Sequence, residues 1–422
     1  MQVEIITIGD ELLLGHTIDT NGATLGRRLA TLGIAVARRT TVGDDAASIA
    51  DAVAAALRRA DGVITTGGLG PTSDDLTKPA IAALFGRGMT VHQPTIDQLE
   101  SRWRARGLPG ELPAANRQQA VVPEGATVLE NRHGTAPGIW MEDDAGRWVA
   151  MLPGVPREMR GMLADTLMPR LSDRMGPDAP VIASRLLRTT SVPEARVADL
   201  LRELELPEGV RLAYLPGWEG VDLRLTVQGM DAARSDACLA DGTHRIVRRL
   251  GDVVYATEER DLAAIVLEVL RARGWRIAVA ESCTGGLLGA RLTAIAGASD
   301  VVAGGVIAYD NAVKTGMLGV DQELLARHGA VSVEVAAAMA RGARRATGAA
   351  VGVGISGVAG PGGGTADKPV GLVCVAVESP EDSWAEARQF IGDREEIRLR
   401  ATQAVLDRVR RAATRTSDER TT

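Results

Sequence analysis

The sequence predicts an α/β chain: a doubly wound first domain, a small α+β module in the middle and a layered α/β third domain. Short apolar segments alternate with amphipathic segments of helical length in the first and last parts of the chain, and this order favours parallel sheets covered by helices. The 48 glycines and 3% aromatic residues indicate cores of Ala, Val and Leu. At 422 residues, two or three domains are expected. The predicted boundaries are 1–172, 178–257 and 259–415, followed by a disordered tail at 416–422.

Charge, cysteine content and the lack of long apolar segments argue against several classes of protein. The net charge is −6, from 48 basic and 54 acidic residues, so no basic footprint indicates nucleic acid as a partner. Cys238, Cys283 and Cys374 are odd in number and lack paired spacing, which argues against a disulfide framework or a zinc site. The N-terminal segment lacks the basic start and long apolar run of a signal peptide, and no segment reaches about 18 apolar residues. We therefore expect a cytoplasmic protein without membrane contact.

The first domain begins with alternating strands and helices. We predict strands at 3–8, 34–40 and 62–66 and helices at 21–32 and 46–59. That order indicates a parallel sheet wound on both faces, with ligands at the carboxyl ends of its strands.

A glycine-rich turn, TTGGLGPTSDDLT (65–77), follows the third predicted strand. Turns of this kind before a helix hold phosphates through backbone N–H groups. Asp74 and Asp75 add carboxylates that suit a divalent metal held against a diphosphate. The alternative is structural, because acids at a helix start are commonly capping residues.

Four widely spaced segments of the first domain carry a family resemblance: GDELLLG with DTN (9–21), GGLGPTSDDLT (67–77), NRHGTAPG (131–138) and LPGVPREM (152–159). They resemble the MoaB/MogA-type molybdopterin-binding fold and, more closely, the N-terminal domain of CinA (competence/damage-inducible) proteins. The resemblance implies metal-dependent hydrolysis of ADP-ribose to AMP and ribose 5-phosphate, with the metal's identity left open. The alternative is a site that binds a pterin or nucleotide without cleaving it.

The resemblance also implies which residues form this site. The implied metal ligands are Asp10, Asp19, Asp74 and Asp75, with Asn21 beside them. The implied substrate-binding residues are Gly67, Gly68, Gly70, Thr72 and Asn131. A metal bound by carboxylates would neutralise a diphosphate and lower the pKa of an attacking water.

The segment from 183 to 257 predicts the order β-α-β-β-α-β, which is typical of a split βαβ module. CinA proteins have a KH-like module at this place. No GxxG loop flanked by basic residues is found here, although RNA binding by a KH domain would require one. We therefore prefer a spacer or dimer contact, and we expect a homodimer formed through the middle and N-terminal domains.

The third domain is organised around AESCTGG (280–286). It follows a predicted strand at 277–280 and enters a helix predicted to begin near Gly285. Helix N-termini offer unpaired N–H groups that favour anions and developing oxyanions. The plainer interpretation is a helix cap formed by Ser282 or Thr284. Further strands are predicted at 301–309, 350–355, 371–377 and 384–391, with helices at 262–273, 333–345 and 394–412.

Five segments of this domain resemble the C-terminal domain of CinA, which also occurs alone as nicotinamide mononucleotide amidohydrolase. They are AESCTGG, IAYDNAVK (307–314), HGAVS (328–332), SGVAGPGGG (356–364) and GDR (392–394). The resemblance implies hydrolysis of nicotinamide mononucleotide to nicotinic acid mononucleotide and ammonia, without a metal or other cofactor.

An amidohydrolase requires a nucleophile, a base and oxyanion donors. Ser282 is the candidate nucleophile, and the resemblance places Tyr309 and Lys314 beside it. Lys314 can act as a base only if burial or a nearby cation lowers its pKa, and Arg394 could supply that cation and bind the phosphate. The remaining expected substrate-binding residues are Cys283, Thr284, Gly285, Gly286, Asn311, Gly357, Gly360, Gly362 and Gly363. The first three of these would also donate backbone N–H groups to the oxyanion.

Two alternatives remain open at this stage. Cys283 could be the nucleophile if the helix N-terminus depressed its pKa, with His328 as a partner brought near by folding. The whole chain could instead be a nucleotide-sensing adaptor or regulatory protein linked to competence or DNA damage.

Overall fold

The computed structural model describes residues 1–72, 74–107, 109–176 and 181–414. The predicted linker at 177–180 and the predicted tail at 416–422 lie outside these residues. The described chain forms two compact units, of which the first comprises Met1–Ala183 with Thr226–Cys238. The second comprises the remaining described residues, so it combines most of the middle module with the third predicted domain.

The first part of the chain alternates strands and helices. Its elements are β1 (Gln2–Ile8), α1 (Asp10–Leu13), α2 (Thr20–Ala30), β2 (Ala35–Val42), α3 (Ala46–Leu57), β3 (Gly62–Thr66), α4 (Thr77–Leu84), β4 (Met89–Val91), α5 (Gln93–Ala105), α6 (Ala114–Gln118), β5 (Val121–Pro123), β6 (Thr127–Leu129), β7 (Gly138–Glu142), β8 (Trp148–Leu152), α7 (Pro156–Met162) and α8 (Met168–Met175). A short π-helical segment, Leu163–Leu167, joins the last two helices.

The main sheet of this part has the strand order β2-β1-β3-β8-β7-β6. The first four strands are parallel, and β7 and β6 extend the sheet antiparallel. Side chains of β1 belong to two hydrophobic cores. Val3 and Ile5 pack with α2 and α7, whereas Ile6 and Ile8 pack with α3 and α4. A strand buried on both faces is expected when helices cover both sides of a parallel sheet. The prediction of a doubly wound sheet is confirmed.

The middle segment has the predicted order of elements. They are β9 (Val181–Thr189), α9 (Glu194–Leu201), β10 (Arg211–Pro216), β11 (Val221–Met230), α10 (Ala232–Leu250) and β12 (Val254–Ala256). The strands form a sheet in the order β10-β11-β9-β12. This order agrees with the predicted split βαβ module.

The C-terminal part again layers helices on a sheet. Its elements are α11 (Leu262–Ala272), β13 (Ile277–Glu281), α12 (Leu287–Thr293), β14 (Val302–Ile307), α13 (Asn311–Leu318), α14 (Gln322–His328), α15 (Val333–Thr347), β15 (Val351–Gly357), β16 (Leu372–Glu378), β17 (Ser383–Gln389) and α16 (Arg394–Thr414). The strand order is β14-β13-β15-β16-β17. The strands β14, β13 and β15 are parallel, and β16 and β17 are antiparallel.

Small side chains let α15 pack closely on one face of this sheet. Ala278 and Ala280 of β13 face α15 and α13, whereas Ile277 and Val279 pack into the core on the opposite face. On the neighbouring strand, a Cβ at Gly354 would overlap Ala336 O of α15. The glycine therefore permits a helix-to-sheet distance that any larger residue would forbid.

Within the described residues, none of the helices combines the length and apolar character that crossing a bilayer requires.

Candidate active site at the carboxyl edge of the C-terminal sheet

Three parallel strands of the C-terminal sheet end at the same edge. Glu281 of β13 pairs in register with Ile307 of β14 and Ile355 of β15. The next residue, Ser282, donates its backbone N–H to Ile355 O at 2.9 Å, and Ala308 N donates to Glu281 O at 2.7 Å. The turn that carries Ser282 therefore lies beside the ends of both neighbouring strands, where ligands bind in parallel sheets.

Lys314 is buried at this edge. Its side chain is 1% exposed, and Nζ donates to Ala308 O at 2.8 Å and to Tyr309 O at 3.2 Å. Burial lowers the pKa of Lys314, while the nearby carboxylate of Asp310 opposes the shift. Lysines are rarely buried to this extent. Of the two causes considered above, burial or a nearby cation, burial is the main cause of the lowered pKa, and Arg394 does not contribute to it.

The start of α12 differs from its predicted position. The helix begins at Leu287, and Gly286 is its N-cap residue. The buried carboxylate of Glu281 accepts backbone N–H groups from Gly286 at 3.1 Å, Leu288 at 3.0 Å and Gly289 at 2.8 Å. Glu281 thus occupies the anion site that a helix N-terminus provides.

The predicted oxyanion donors are affected in different ways. Gly285 N–H donates to Ser282 O at 3.0 Å within the turn, so its predicted role as a free donor is wrong. Gly286 was expected to bind substrate and not to donate to the oxyanion, and its N–H is bound by Glu281. Cys283 and Thr284, which belong to the same turn, stay candidate donors.

The thiol of Cys283 lies in a buried site beside Lys314. Burial raises its pKa to about 12, and the charges of Arg394 and Arg398 offset only part of the rise. A cysteine with a raised pKa is a neutral thiol near pH 7 and a poor nucleophile. The premise of the cysteine alternative, a depressed pKa, is therefore wrong. His328, its suggested partner, lies 3.5 Å from Glu334.

Arg394, the first residue of α16, joins two predicted site segments. Its Nη2 donates to Tyr309 Oη at 3.1 Å, and its Nη1 donates to Gly360 O at 2.6 Å. Tyr309 is 62% exposed, so its ring and the Arg394 guanidinium form the solvent-facing side of this edge. Asn311 is also exposed, at the start of α13.

The glycines of the loop after β15 fall into two groups. A Cβ at Gly357 would lie 2.7 Å from Leu372 O, and one at Gly360 would lie 2.6 Å from a Val370 methyl group. These two glycines leave room for β16 and for the segment that leads into it. Gly362 and Gly363 are exposed, and an added Cβ would meet no atom within 4 Å. Space for a ligand thus lies at the second pair.

The corresponding edge of the N-terminal sheet opens into a cavity of about 410 Å³. It lies beside the glycine-rich turn after β3 and the Pro153–Val155 segment after β8. Asp75 shapes that turn by accepting Gly70 N at 2.6 Å, Thr72 N at 2.8 Å and Thr72 Oγ1 at 2.5 Å. Both oxygens of Asp75 are therefore used by the turn itself.

The other predicted acids do not form one ligand set with Asp75. Asp19 caps α2 by accepting Gly22 N at 2.8 Å, and it pairs with Arg39 at 2.7 Å. Asp10 instead lies against Asp44, with Asp10 N donating to Asp44 Oδ2 at 2.9 Å. In the part of the chain that the structure describes, no group of three or more His, Cys, Asp or Glu side chains is arranged to hold a metal ion. The predicted set of Asp10, Asp19, Asp74 and Asp75 does not fit a single metal.

Two polar residues of this region have structural roles. Asn131 is buried, its Nδ2 donates to Ala136 O at 2.8 Å and Glu158 Oε2 at 2.6 Å, and its Oδ1 accepts His133 N at 2.9 Å. The side chain is fully used in holding its own turn, so its predicted role in substrate binding is corrected. Asn21, also buried, donates to Gly154 O at 2.7 Å and so joins α2 to the loop after β8.

Comparison with known proteins identifies the family of each part of this chain. Residues 259–413 match the family described as "CinA C-terminal domain", residues 184–256 the "Damage-inducible protein CinA KH domain", and residues 4–173 the "Probable molybdopterin binding domain". A CinA-like protein of Gemmatimonas aurantiaca is 56% identical over 416 residues, covering 98% of this chain and 97% of its own. The chain belongs to the CinA family.

Two further CinA relatives match different shares of this chain. A CinA-like protein of Anaeromyxobacter dehalogenans is 43% identical and covers 98% of this chain and all of its own. The solved structure of a competence/damage inducible protein from Agrobacterium tumefaciens is 40% identical, covers 36% of this chain and 94% of its own, and has a TM-score of 0.35.

Three residues of this CinA-family chain contribute to its sites but were not predicted from the sequence. Arg398 donates from Nε and Nη2 to Thr284 O at 3.2 and 2.7 Å, which fixes the Ser282 turn to α16. Its position four residues after Arg394, on the same face of a helix, is a signal that could have identified it. Glu281 stands inside the AESCTGG motif itself. Asp44 faces the negative charges of Asp10, Glu11 and Asp74, which together with burial raise its pKa.

Proposed function

We propose that this CinA-family chain is an amidohydrolase that converts nicotinamide mononucleotide to nicotinic acid mononucleotide and ammonia. The supporting observation is the buried Lys314, whose lowered pKa suits a base and whose position is at the same strand edge as Ser282. A base must be the neutral amine, which has two N–H groups and one lone pair. Donation of the two N–H groups to Ala308 O and Tyr309 O would leave the lone pair to accept the proton of Ser282.

In the proposed first step, Lys314 Nζ accepts the proton of Ser282 Oγ as Oγ attacks the amide carbon of the substrate. The carbonyl oxygen becomes an oxyanion, which the backbone N–H groups of Cys283 and Thr284 stabilise. Lys314 then returns the proton to the amide nitrogen. The carbon–nitrogen bond breaks, ammonia leaves, and an ester on Ser282 remains.

In the second step, Lys314 accepts a proton from water, and the hydroxide attacks the ester carbon. The carbon–oxygen bond to Ser282 breaks, and Lys314 returns the proton to Oγ. The product acid gives its proton to ammonia, and nicotinic acid mononucleotide leaves as the carboxylate. One water is consumed and one ammonium ion is produced. Both steps require Lys314 to start as a neutral amine, which its lowered pKa favours.

Arg394 would bind the substrate phosphate. Its guanidinium is exposed next to Tyr309, and the exposed glycines 362 and 363 follow Gly360, its other partner. A guanidinium presents parallel donors that match a phosphate. Arg394→Gln should therefore raise KM by about tenfold while changing kcat little.

The test of the proposal is ammonia release by the full chain from nicotinamide mononucleotide. Release that is unaffected by a chelator would support metal-free hydrolysis, and nicotinamide riboside, which lacks the phosphate, should be a poor substrate. Loss of all release in the chelator would contradict the metal-free chemistry. Absence of release from the wild-type protein would overturn the proposal and favour the nucleotide-sensing adaptor.

The second candidate function belongs to the N-terminal cavity, where we propose that ADP-ribose binds and is hydrolysed to AMP and ribose 5-phosphate. The supporting observation is the turn held open by Asp75 at the mouth of the 410 Å³ cavity. Backbone N–H groups of such turns bind phosphates. No catalytic step is assigned to a metal, because the predicted ligand set does not assemble in the described residues.

AMP release from ADP-ribose, measured with and without added divalent cations, tests this second activity. Binding of a pterin without AMP release would instead support the molybdopterin alternative. The expected homodimer and the expected cytoplasmic location stay predictions, and light scattering would test the first of them.

A further inference from the structure

A second cavity lies within the C-terminal unit, away from the Ser282 turn. Its volume is about 680 Å³, inside the range of roughly 300–1,000 Å³ that is typical of small-molecule sites. The β9–α9 connection, the β10–β11 hairpin and the middle of α16 form its walls. The lining residues include Ser191, Trp218, Phe390, Arg400 and Gln403.

The walls of this cavity are held firmly together. Ser191 Oγ donates to Asp407 Oδ2 at 2.8 Å, and Gln403 Nε2 donates to Thr190 Oγ1 at 3.2 Å. Ser191 has φ of 66° and is the one described residue other than glycine with a positive φ. Strained backbone of this kind persists where surrounding contacts enforce it, and it is concentrated at ligand sites.

Two charged residues of opposite sign that line the cavity, Glu194 and Arg400, form no ion pair within the described residues. Of the lining charges, Glu219 pairs with Arg188 and Arg291, and Arg388 pairs with Glu386. Glu194 is exposed at the start of α9. Arg400 forms no ion pair with any residue of the described ranges, and its Nε is buried without a hydrogen-bond partner among them.

Arg400 is a partly buried planar cation whose Nε–H has no acceptor among the described residues. Leaving such a donor unpaired is unfavourable, and an oxyanion is its strongest acceptor. Two aromatic side chains, Trp218 and Phe390, supply flat apolar surface in the same cavity. The guanidinium of Arg291 lies 5.1 Å from the centre of the Trp218 ring and keeps that ring oriented.

We propose that this cavity binds a nucleotide, with its phosphate at Arg400 and its base against Trp218 and Phe390. This site is separate from the two proposed active sites and goes beyond the proposed hydrolysis reactions. The helix α16 forms part of the cavity wall and also carries Arg394 and Arg398, which contact Tyr309 and the Ser282 turn. The proposed nucleotide and the Ser282 edge would therefore contact the same helix.

Tryptophan fluorescence of the full chain, titrated with AMP, tests the proposal. AMP has no amide for the proposed amidohydrolase, so the result is independent of that activity. Because AMP is also the proposed product of the N-terminal site, the signal assigned to this cavity is the quenching that depends on Trp218. Saturable quenching is expected in the wild type. It should be absent in Trp218→Phe and shifted by roughly 10- to 100-fold to higher AMP concentration in Arg400→Gln. The matched control, Arg248→Gln, changes an exposed arginine of α10 and should quench like the wild type.

Several outcomes would overturn the proposal. Equal quenching in the wild type and in Trp218→Phe would place the bound AMP elsewhere. Adenosine binding as tightly as AMP would remove the role of the phosphate. Unchanged affinity in Arg400→Gln would remove the role of Arg400, and Arg400→Lys, which keeps the charge, repeats this test with a milder change. Unaltered melting of each variant shows that the cavity itself is intact.

Discussion

Two buried lysines, one in each half of the chain, have almost the same local geometry. Lys314 donates to the carbonyls of Ala308 and Tyr309, and Lys78 donates to those of Gln119 at 2.9 Å and Gln118 at 3.4 Å. Burial lowers the pKa of both, that of Lys78 to about 8. By titration alone, either lysine could be a base.

Their neighbours differ. Lys314 stands at a strand edge next to the Ser282 turn and the Cys283 thiol. The charged neighbour of Lys78 is Asp75, which is already bound to the glycine-rich turn. A lowered pKa therefore does not identify a catalytic lysine unless a nucleophile lies beside it. In the proposed reaction Lys314 meets both conditions, whereas we expect a structural role for Lys78.

The largest expected effect separates the two lysines by activity. Lys314→Met should reduce ammonia release from nicotinamide mononucleotide by roughly 1,000-fold, because the proposed base is lost. Lys78→Met, the matched variant, should leave release unchanged. Rates measured on folded protein would decide between the two, and an equal loss in both variants would show that burial rather than chemistry accounts for the effect.

A stability profile against pH is the next largest difference. A lysine whose folded pKa lies below its unfolded value of 10.5 binds fewer protons when folded. Its contribution therefore makes stability rise with pH through the window between the two pKa values, from about 8 to 10.5 for Lys78. Denaturation of the wild type and of Lys78→Met at several pH values isolates this contribution from those of other groups. The stability of the wild type relative to the variant should rise by about 3 kcal/mol across the window. A difference between the two proteins that stays constant with pH would contradict the assignment.

The smallest expected effects concern two glycines, one that close packing requires and one that borders open space. Gly354→Ala should lower the free energy of unfolding by about 1–3 kcal/mol, because the new Cβ meets Ala336 O of α15. Gly362→Ala, in the open part of the loop after β15, should change it by less than about 0.5 kcal/mol. Denaturant titration of both variants measures the contrast. Equal losses would show that Gly362 is also a packing residue.

Much of the fold could be predicted because its signals are local. Alternating apolar segments placed β1, β3 and β13 within about one residue of their observed bounds. The family resemblance implied that Tyr309 lies beside Ser282, and the parallel register of β13 and β14 is the structural reason that both lie at one edge. Lys314 follows them because it lies one turn into α13, whose start is capped by Asp310.

The failures of prediction depend on three-dimensional contacts. The sequence predicts that a helix begins near Gly285, but α12 begins at Leu287. The Glu281 carboxylate accepts three backbone N–H groups at this point, a contact that the sequence pattern does not indicate. Asn131 has the composition of a ligand-binding residue, yet its own turn uses its amide. Arg398 reaches Thr284 across 114 positions. Its spacing from Arg394 places both on one helix face, but this spacing does not identify Thr284 as the partner.

Ammonia release by Ser282→Ala, Cys283→Ala and Lys314→Ala, compared with the wild type at equal melting temperature, tests the central claim most directly. The serine–lysine chemistry predicts loss in the first and third variants and retention of most activity in Cys283→Ala, since burial keeps that thiol protonated. Activity that survives in Ser282→Ala and disappears in Cys283→Ala would contradict it and assign the nucleophile to the thiol.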